Sequence, residues 1–252
     1  MLDRVSSPML LNIEEVQFRY GGLVALDSVS FSLKKGHGIS LVGPNGSGKS
    51  TLIDVISGFL TAHQGGCTLG EISLHGHSPS KIAELGLCRT FQYPRNSGGL
   101  SCFENVLAAS LSADSMQWYQ AFRPRTIRQA KERAQKWLDT VGLSDMSDEL
   151  AATLSFGQSK LLNLACVLVR EPKIVLLDEP VAGVAKQYRH KLISILEQLK
   201  AQDVQILIVE HDLDFVRSIS DSVIVLDQGK ILAQGATKET LALPKVLKAY
   251  VG

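Results

Sequence analysis

The stretch Gly43-Pro-Asn-Gly-Ser-Gly-Lys-Ser-Thr51 limits the fold more than any other part of the chain. It fits G-x-x-x-x-G-K-[ST], a loop whose backbone N–H groups cradle phosphate. The apolar run Gly38-Ile-Ser-Leu-Val42 before it reads as a buried strand, and Leu52-Ile-Asp-Val-Ile-Ser-Gly58 after it has helical spacing. Strand, glycine loop and helix are the context this motif requires. Glycines let the backbone close on an anion, and the new helix points free N–H groups at it. Gly43, Pro44, Asn45, Gly46, Ser47, Gly48, Lys49, Ser50 and Thr51 are therefore the expected nucleotide-binding residues. In such a loop Lys49 reaches the β- and γ-phosphates and Ser50 holds Mg²⁺.

The chain has 252 residues, enough for one large domain or two lobes sharing an interface. A formal net charge of +1 gives no general electrostatic pull toward nucleic acid. Basic residues are denser from Arg123 to Lys136. They read as the solvated face of a surface helix, the alternative being a contact with lipid headgroups or an acidic partner loop. Cys67, Cys88, Cys102 and Cys166 are scattered without C-x-x-C spacing, as expected of free thiols in a reducing compartment. His75 and His77 alternate in a strand-like stretch that reads as a surface hairpin. No signal peptide is expected at the start. No apolar run approaches the ~20 residues needed to span a bilayer, so work at a membrane requires another chain to do the spanning.

Residues 10 to 33 alternate apolar and polar around Gly21-Gly22, which predicts antiparallel strands and turns. Glu71–His75 predicts another strand. From about Phe103 to Asp148 the pattern is helical, with segments at Glu104–Leu111 and Ile127–Val141. Ile174–Asp178 and Gln205–Val209 are short apolar runs suited to buried parallel strands, with a helix from about Tyr188 to Ala201 between them. Val223–Leu226 and Lys230–Ala233 make a late hairpin. The fold class is α/β, a phosphate-loop core with an antiparallel β subdomain and a helical subdomain.

Asp178 and Glu179 close the Ile174 strand. Carboxylates at the end of a buried strand need a partner, because an unpaired charge there is costly. A pair of helix-capping acids is one reading, since a helix follows; beside a phosphate loop the better one is Mg²⁺ for Asp178 and general-base duty for Glu179. In Leu154-Ser-Phe-Gly-Gln158, Ser155 and Gln158 form an S-x-x-Q capping box. That is a well-made helix start, and also a second anion-seeking helix terminus. It suggests a dimer in which each chain completes the other's site. His211 follows the Gln205 strand, at the sheet edge where α/β ligands bind. Gln92 precedes the helical insert, and Tyr20 is an early aromatic able to stack on a base.

In this order the motifs resemble those of the ATP-binding cassette (ABC) ATPases over nearly the whole chain. Gly43–Thr51 matches Walker A, Gln92 the Q-loop, Leu154–Gln158 the signature, Ile174–Glu179 Walker B, and His211 the switch histidine; Tyr20 matches the adenine-stacking aromatic. Arg89–Arg95, the extended stretch Ser110–Thr126, Val209-Glu-His-Asp212 and the ending Lys248–Gly252 are similar to one branch, the ATP-binding subunits of branched-chain amino acid importers. The resemblance implies a single cassette over 1–252 with a helical subdomain at about 93–160, inserted in the α/β core. It implies two cassettes sandwiching two Mg·ATP, each between Lys49, Ser50 and Thr51 of one chain and Ser155, Gly157 and Gln158 of the other. Glu179 would polarise the attacking water, Gln92 and Asp178 would organise Mg²⁺ and that water, and His211 would hold the γ-phosphate.

The implied partners are transmembrane permease subunits and a second ABC ATPase subunit, with a solute-binding protein engaged through the permease and no nucleic acid. The implied location is peripheral, on the cytoplasmic face of the inner membrane. Three positions depart from the family pattern. Phe156 replaces a glycine, as an aromatic often does in this branch. Cys166 stands where many members have arginine. Ala185 ends the D-loop where Asp or Asn is usual, which predicts weaker coupling between the two sites of a dimer. Rival readings are a lipid or polysaccharide exporter, a soluble regulator on ribosomes or DNA, and a phosphate-loop kinase or GTPase. Regulators usually carry two cassettes or long insertions in one chain, and no N-K-x-D guanine-reading motif is present.

Overall fold

The computed structural model describes residues 11–113 and 124–251. Residues 1–10, residues 114–123 of the extended insert (with Arg123 of the basic segment) and the final Gly252 lie outside the described residues. The order of elements is β1 (Leu11–Tyr20), β2 (Leu23–Leu33), β3 (Gly38–Val42), α1 (Lys49–Ile56), β4 (Gln64–Leu69), β5 (Ile72–Ser73), α2 (Pro79–Glu84) and β6 (Leu87–Arg89). The helices α3 (Cys102–Ala113), α4 (Pro124–Val141) and α5 (Phe156–Leu168) follow. The chain then runs through β7 (Ile174–Asp178), α6 (Lys186–Ala201), β8 (Gln205–Val209), α7 (Leu213–Ile219), β9 (Ser222–Asp227), β10 (Lys230–Ala236), α8 (Thr237–Leu241) and α9 (Pro244–Val251).

The strands form two sheets. The first is antiparallel, in the order β2-β1-β4-β5. Burial along β1 has period two on either side of a bulge: Leu11 and Ile13 point inward, and after Glu15, at a left-handed φ of 46°, the phase shifts so that Val16 and Phe18 do. Tyr20 pairs with Leu23 across a two-glycine turn in which Gly21 takes a left-handed φ of 57°. The expected strand at Glu71–His75 is shorter, because it pairs only with β4, through Thr68↔Ser73 and Leu69↔Ile72, and left-handed glycines at 70 and 76 flank it.

The second sheet runs β10-β9-β3-β8-β7-β6, with β9, β3, β8, β7 and β6 parallel and β10 antiparallel at the edge. The strands β3, β7 and β8 are buried along their whole length, the pattern of a parallel sheet covered on both faces. One face packs on α1 and the antiparallel sheet through Leu41, Leu52, Ile56, Leu176 and Leu207. The other packs on α3–α6 through Val106, Leu138, Leu162, Leu177 and Ile208.

The helical segments are longer than the sequence pattern requires, starting at Cys102, Pro124 and Lys186. Pro124, Arg125 and Thr126 at the start of α4 carry no apolar pattern of their own; the buried stripe begins later, at Ala130, Ala134, Leu138 and Val141. Arg125, Arg128, Lys131 and Lys136 stay exposed on the opposite side, the solvated face expected of the basic segment. All four cysteines are free. Among the described residues, no helix is long and apolar enough to cross a membrane, and no group of three His, Cys, Asp or Glu side chains could hold a metal ion by itself.

Candidate functional site

The central strand β3 has β8 on one side and β9 on the other, so neighbouring crossovers diverge at its C-terminal end. A crevice opens at such a switch point in an α/β sheet. The loop 43–48 fills it. Gly43, Gly46 and Gly48 have φ of 147°, 79° and 105°, which only glycine adopts freely. A Cβ on Gly43 would meet Leu226 O at 2.0 Å, and one on Gly48 would meet Ala25 O at 2.5 Å. The loop is therefore clamped between β2 and β9, while Gly46 has no neighbour within 4 Å of a Cβ and faces outward. Gly48 supplies no side-chain cap to α1, which leaves the N–H groups of that helix start available. Lys49 Nζ lies over the loop and donates to Gly43 O and Pro44 O, both at 2.8 Å. Burial lowers the Lys49 pKa, and the charge of Glu179 acts against that shift. Ser50 and Thr51 follow on the first turn of α1.

Across the crevice, β7 delivers Asp178 and Glu179. Asp178 is buried, and burial pushes its carboxyl above the ordinary carboxylate range against the pull of Arg89. Arg89 Nη2 donates to Asp178 Oδ2 at 3.0 Å and Nη1 to Asp54 Oδ1 at 2.5 Å. The sequence reading missed Arg89. Its signal was a charged residue ending an apolar strand beside Gln92. Glu179 has a left-handed φ of 47°, and its N–H donates to Val209 O at 2.9 Å. That backbone turn brings its carboxylate to Gln92, whose Nε2 donates to Oε2 at 2.8 Å, and to His211, whose Nδ1 lies 3.8 Å from Oε1. His211 is 62% exposed.

Two further buried charges support this edge. Glu210 accepts from the N–H groups of Val181 at 3.1 Å, His211 at 2.9 Å and Asp212 at 3.2 Å, which fixes the loops after β7 and β8. Lys160 of α5 donates to the Glu179 carbonyl. Burial lowers the Lys160 pKa, while Glu210, Glu179 and Asp178 favour its charge. Lys160 follows Gln158 and Ser159 on α5, and nothing in the linear sequence distinguishes it from a surface lysine.

Gln92, Asp178, Glu179, His211 and Lys49 thus converge at one edge. Tyr20, Ser155, Gly157 and Gln158 stand apart from that hydrogen-bonded cluster. Tyr20 is 51% exposed at its hairpin tip and packs edge-on against Phe18, with ring centroids 4.9 Å apart. Ser155 and Gln158 form the capping box foreseen, with Gln158 Oε1 accepting from Ser155 N at 2.9 Å. Gly157 is buried, where a Cβ would lie 3.5 Å from the Tyr188 ring.

A phosphate cradle, a helix start and two carboxylates at a switch point define a phosphate-loop nucleotide-binding protein. Comparison with known proteins narrows the class. The ABC transporter family model matches residues 26–182, and the chain belongs to that family. It is 35% identical to the high-affinity branched-chain amino acid transport ATP-binding protein LivG of Salmonella typhimurium, over 98% of this chain and 99% of that protein. It is 36% identical to the probable branched-chain amino acid transport ATP-binding protein LivG of Methanocaldococcus jannaschii, over 96% and 97%. Among solved structures, a nucleotide-free ATP-binding cassette from an ABC transporter superposes with a TM-score of 0.85 at 35% identity, covering 96% of this chain and 99% of that one. An ADP conformation of a cassette gives a TM-score of 0.84 at 34% identity, covering 96% and 98%.

Proposed function

We propose that this chain is the ATP-hydrolysing subunit of an importer for branched-chain amino acids or a related small polar solute. The observation that carries the reading is the meeting of Glu179 with Gln92 and His211 at the strand edge that faces Lys49. Likeness to branched-chain amino acid transport proteins along the whole chain supports the solute class.

In this reading the N–H groups of the loop and of the first turn of α1 bind the phosphates, and Lys49 balances their charge. The oxygen donors Ser50, Gln92 and Asp178 suit Mg²⁺, which commonly takes one or two carboxylates beside phosphate oxygens; these residues would hold it. Bound Mg²⁺ supplies charge neutralisation at the phosphate oxygens. Glu179 Oε1 or Oε2 accepts a proton from the attacking water as phosphate leaves ADP. Gln92 orients the Glu179 carboxylate, and His211 reaches the γ-phosphate. Positioning and charge stabilisation carry such chemistry. Tyr20 stacks on the base, while Ser155, Gly157 and Gln158 close on the nucleotide of a second cassette. The helical part at about 93–160 belongs to a single cassette spanning 1–252. Its partners are permease subunits, a second ATPase subunit and, through the permease, a solute-binding protein; nucleic acid is not among them. The chain then sits peripherally on the cytoplasmic face of the inner membrane.

The test is purification of the tagged chain from mildly solubilised host membranes, with mass spectrometry of what accompanies it. A polytopic permease and a second cassette are expected. Recovery with ribosomes, DNA or nothing would remove the transport assignment.

A further inference from the structure

Arg89 ends β6 with its side chain only 9% exposed. Its fork points two ways. Nη1 is held by α1 and the residue after it, donating to Asp54 Oδ1 at 2.5 Å and Ser57 Oγ at 3.1 Å. Nη2 holds Asp178 Oδ2 at 3.0 Å. One buried cation therefore spans two carboxylates, one on the helix of the phosphate loop and one on the strand that opposes it. The same guanidinium lies 5.0 Å from the Phe91 ring centroid and 5.7 Å from that of Phe59. Those rings meet edge to face at 5.7 Å, and Phe59 is half-exposed. Arg95 also lies over the Phe91 ring, 4.0 Å from its centroid.

We propose that Arg89 is a positioning residue for Asp178: it fixes that carboxylate against α1 and ties its orientation to the aromatic pair Phe59–Phe91 at the surface. The proposal rests on the reading of Asp178 as the Mg²⁺ carboxylate. The physical basis is the planar fork of arginine, which serves two acceptors in fixed directions while stacking on aromatic faces. A lysine keeps the charge but is a point donor on a flexible stem. It cannot hold both carboxylates and the rings in one arrangement. One planar group thus touches both the Phe91 ring, at 5.0 Å from its centroid, and the Asp178 carboxylate, at 3.0 Å.

The experiment measures binding of a fluorescent ATP analogue in EDTA and then across a Mg²⁺ titration, for the unaltered chain and for Arg89→Lys. Binding in EDTA should stay within about twofold, while the Mg²⁺ concentration at half-effect rises by about tenfold, the scale on which outer partners of metal ligands act. An unchanged Mg²⁺ requirement with only a lowered melting temperature would make Arg89 a structural ion pair and overturn the proposal. Asp178→Asn is measured alongside. If it too leaves the Mg²⁺ requirement unchanged, the assignment of Asp178 is what fails, and the proposal falls with it. Should Arg89→Lys not fold, Asp54→Asn cuts the tie to α1 at a partly exposed carboxylate. It should raise the requirement in the same direction, and no rise overturns the proposal. Phe91→Leu should produce a smaller rise; none would sever the surface arm of the link.

Discussion

Removing the charge of Glu179 while keeping its shape separates binding from chemistry. Glu179→Gln should lower ATP turnover by about 10²–10⁴-fold with nucleotide binding retained; near-normal turnover in a phosphate-release assay would end its assignment as base. Ala185 makes a second prediction at this scale. The structure places it as the exposed N-cap of α6, with extended backbone and no side-chain hydrogen bond. Asp or Asn there would cap the helix and, in the proposed dimer, reach toward the partner cassette. Ala185→Asp should stabilise the chain by about 1 kcal/mol, a rise of roughly 2–4 °C in melting temperature for a chain of this size. It should also increase the cooperativity of ATP hydrolysis in the assembled dimer. Higher stability with unaltered cooperativity would leave only the capping effect.

Short elements depend on their ends, and α7 shows how. Asp212 caps it by accepting from the N–H groups of Asp214 at 3.2 Å and Phe215 at 3.1 Å, and it pairs with Arg189 at 2.6 Å. These contacts, the Phe215 N–H first, hold its carboxyl below the usual value of 3.8. A carboxylate with a depressed folded pKa stabilises fully above its unfolded pKa and loses that contribution as pH falls through the folded one. Asp212→Ala should therefore cost about 1 kcal/mol at pH 7, and the cost should shrink as pH is taken below 3.8. Denaturant melts of both proteins at neutral and acid pH check this. The same element shows what sequence left obscure. Alternation announced β1, continuous apolar runs announced β3, β7 and β8, and helical spacing announced α4 and α6. By contrast α7 has only Phe215, Val216 and Ile219 buried, and β4 begins Gln-Gly-Gly, so neither carries a pattern of its own. They exist because the sheet and the capping carboxylate supply what local propensity does not.

At the scale of the molecule, the site was legible where chemistry demands a fixed spacing and obscure where it depends on packing. The phosphate loop, Asp178, Glu179 and His211 all stand at strand ends or beside glycines, so they could be placed from the linear order. Arg89, Lys160 and Glu210 act through buried contacts between elements distant in sequence, and only the folded chain joins them. One whole-molecule outcome follows for ligand binding. Because Tyr20 stands at a hairpin tip with no contact to the Gln92–Glu179–His211 cluster, and is proposed to stack on the base, Tyr20→Ala should weaken ATP binding by about tenfold, the low end of a stacking contact, yet leave turnover at saturating ATP within about twofold. A fall in turnover at saturation would place Tyr20 elsewhere in the mechanism.

The left-handed backbone at Glu179 has a consequence for how this protein can change. A side chain in that conformation costs on the order of 1–3 kcal/mol, and glycine would relieve it. With Glu179 as the base proposed above, thermal stability and turnover pull position 179 in opposite directions. A laboratory selection for heat resistance alone would drift toward Glu179→Gly and yield a sturdier, silent cassette, so any such campaign must keep transport in the screen.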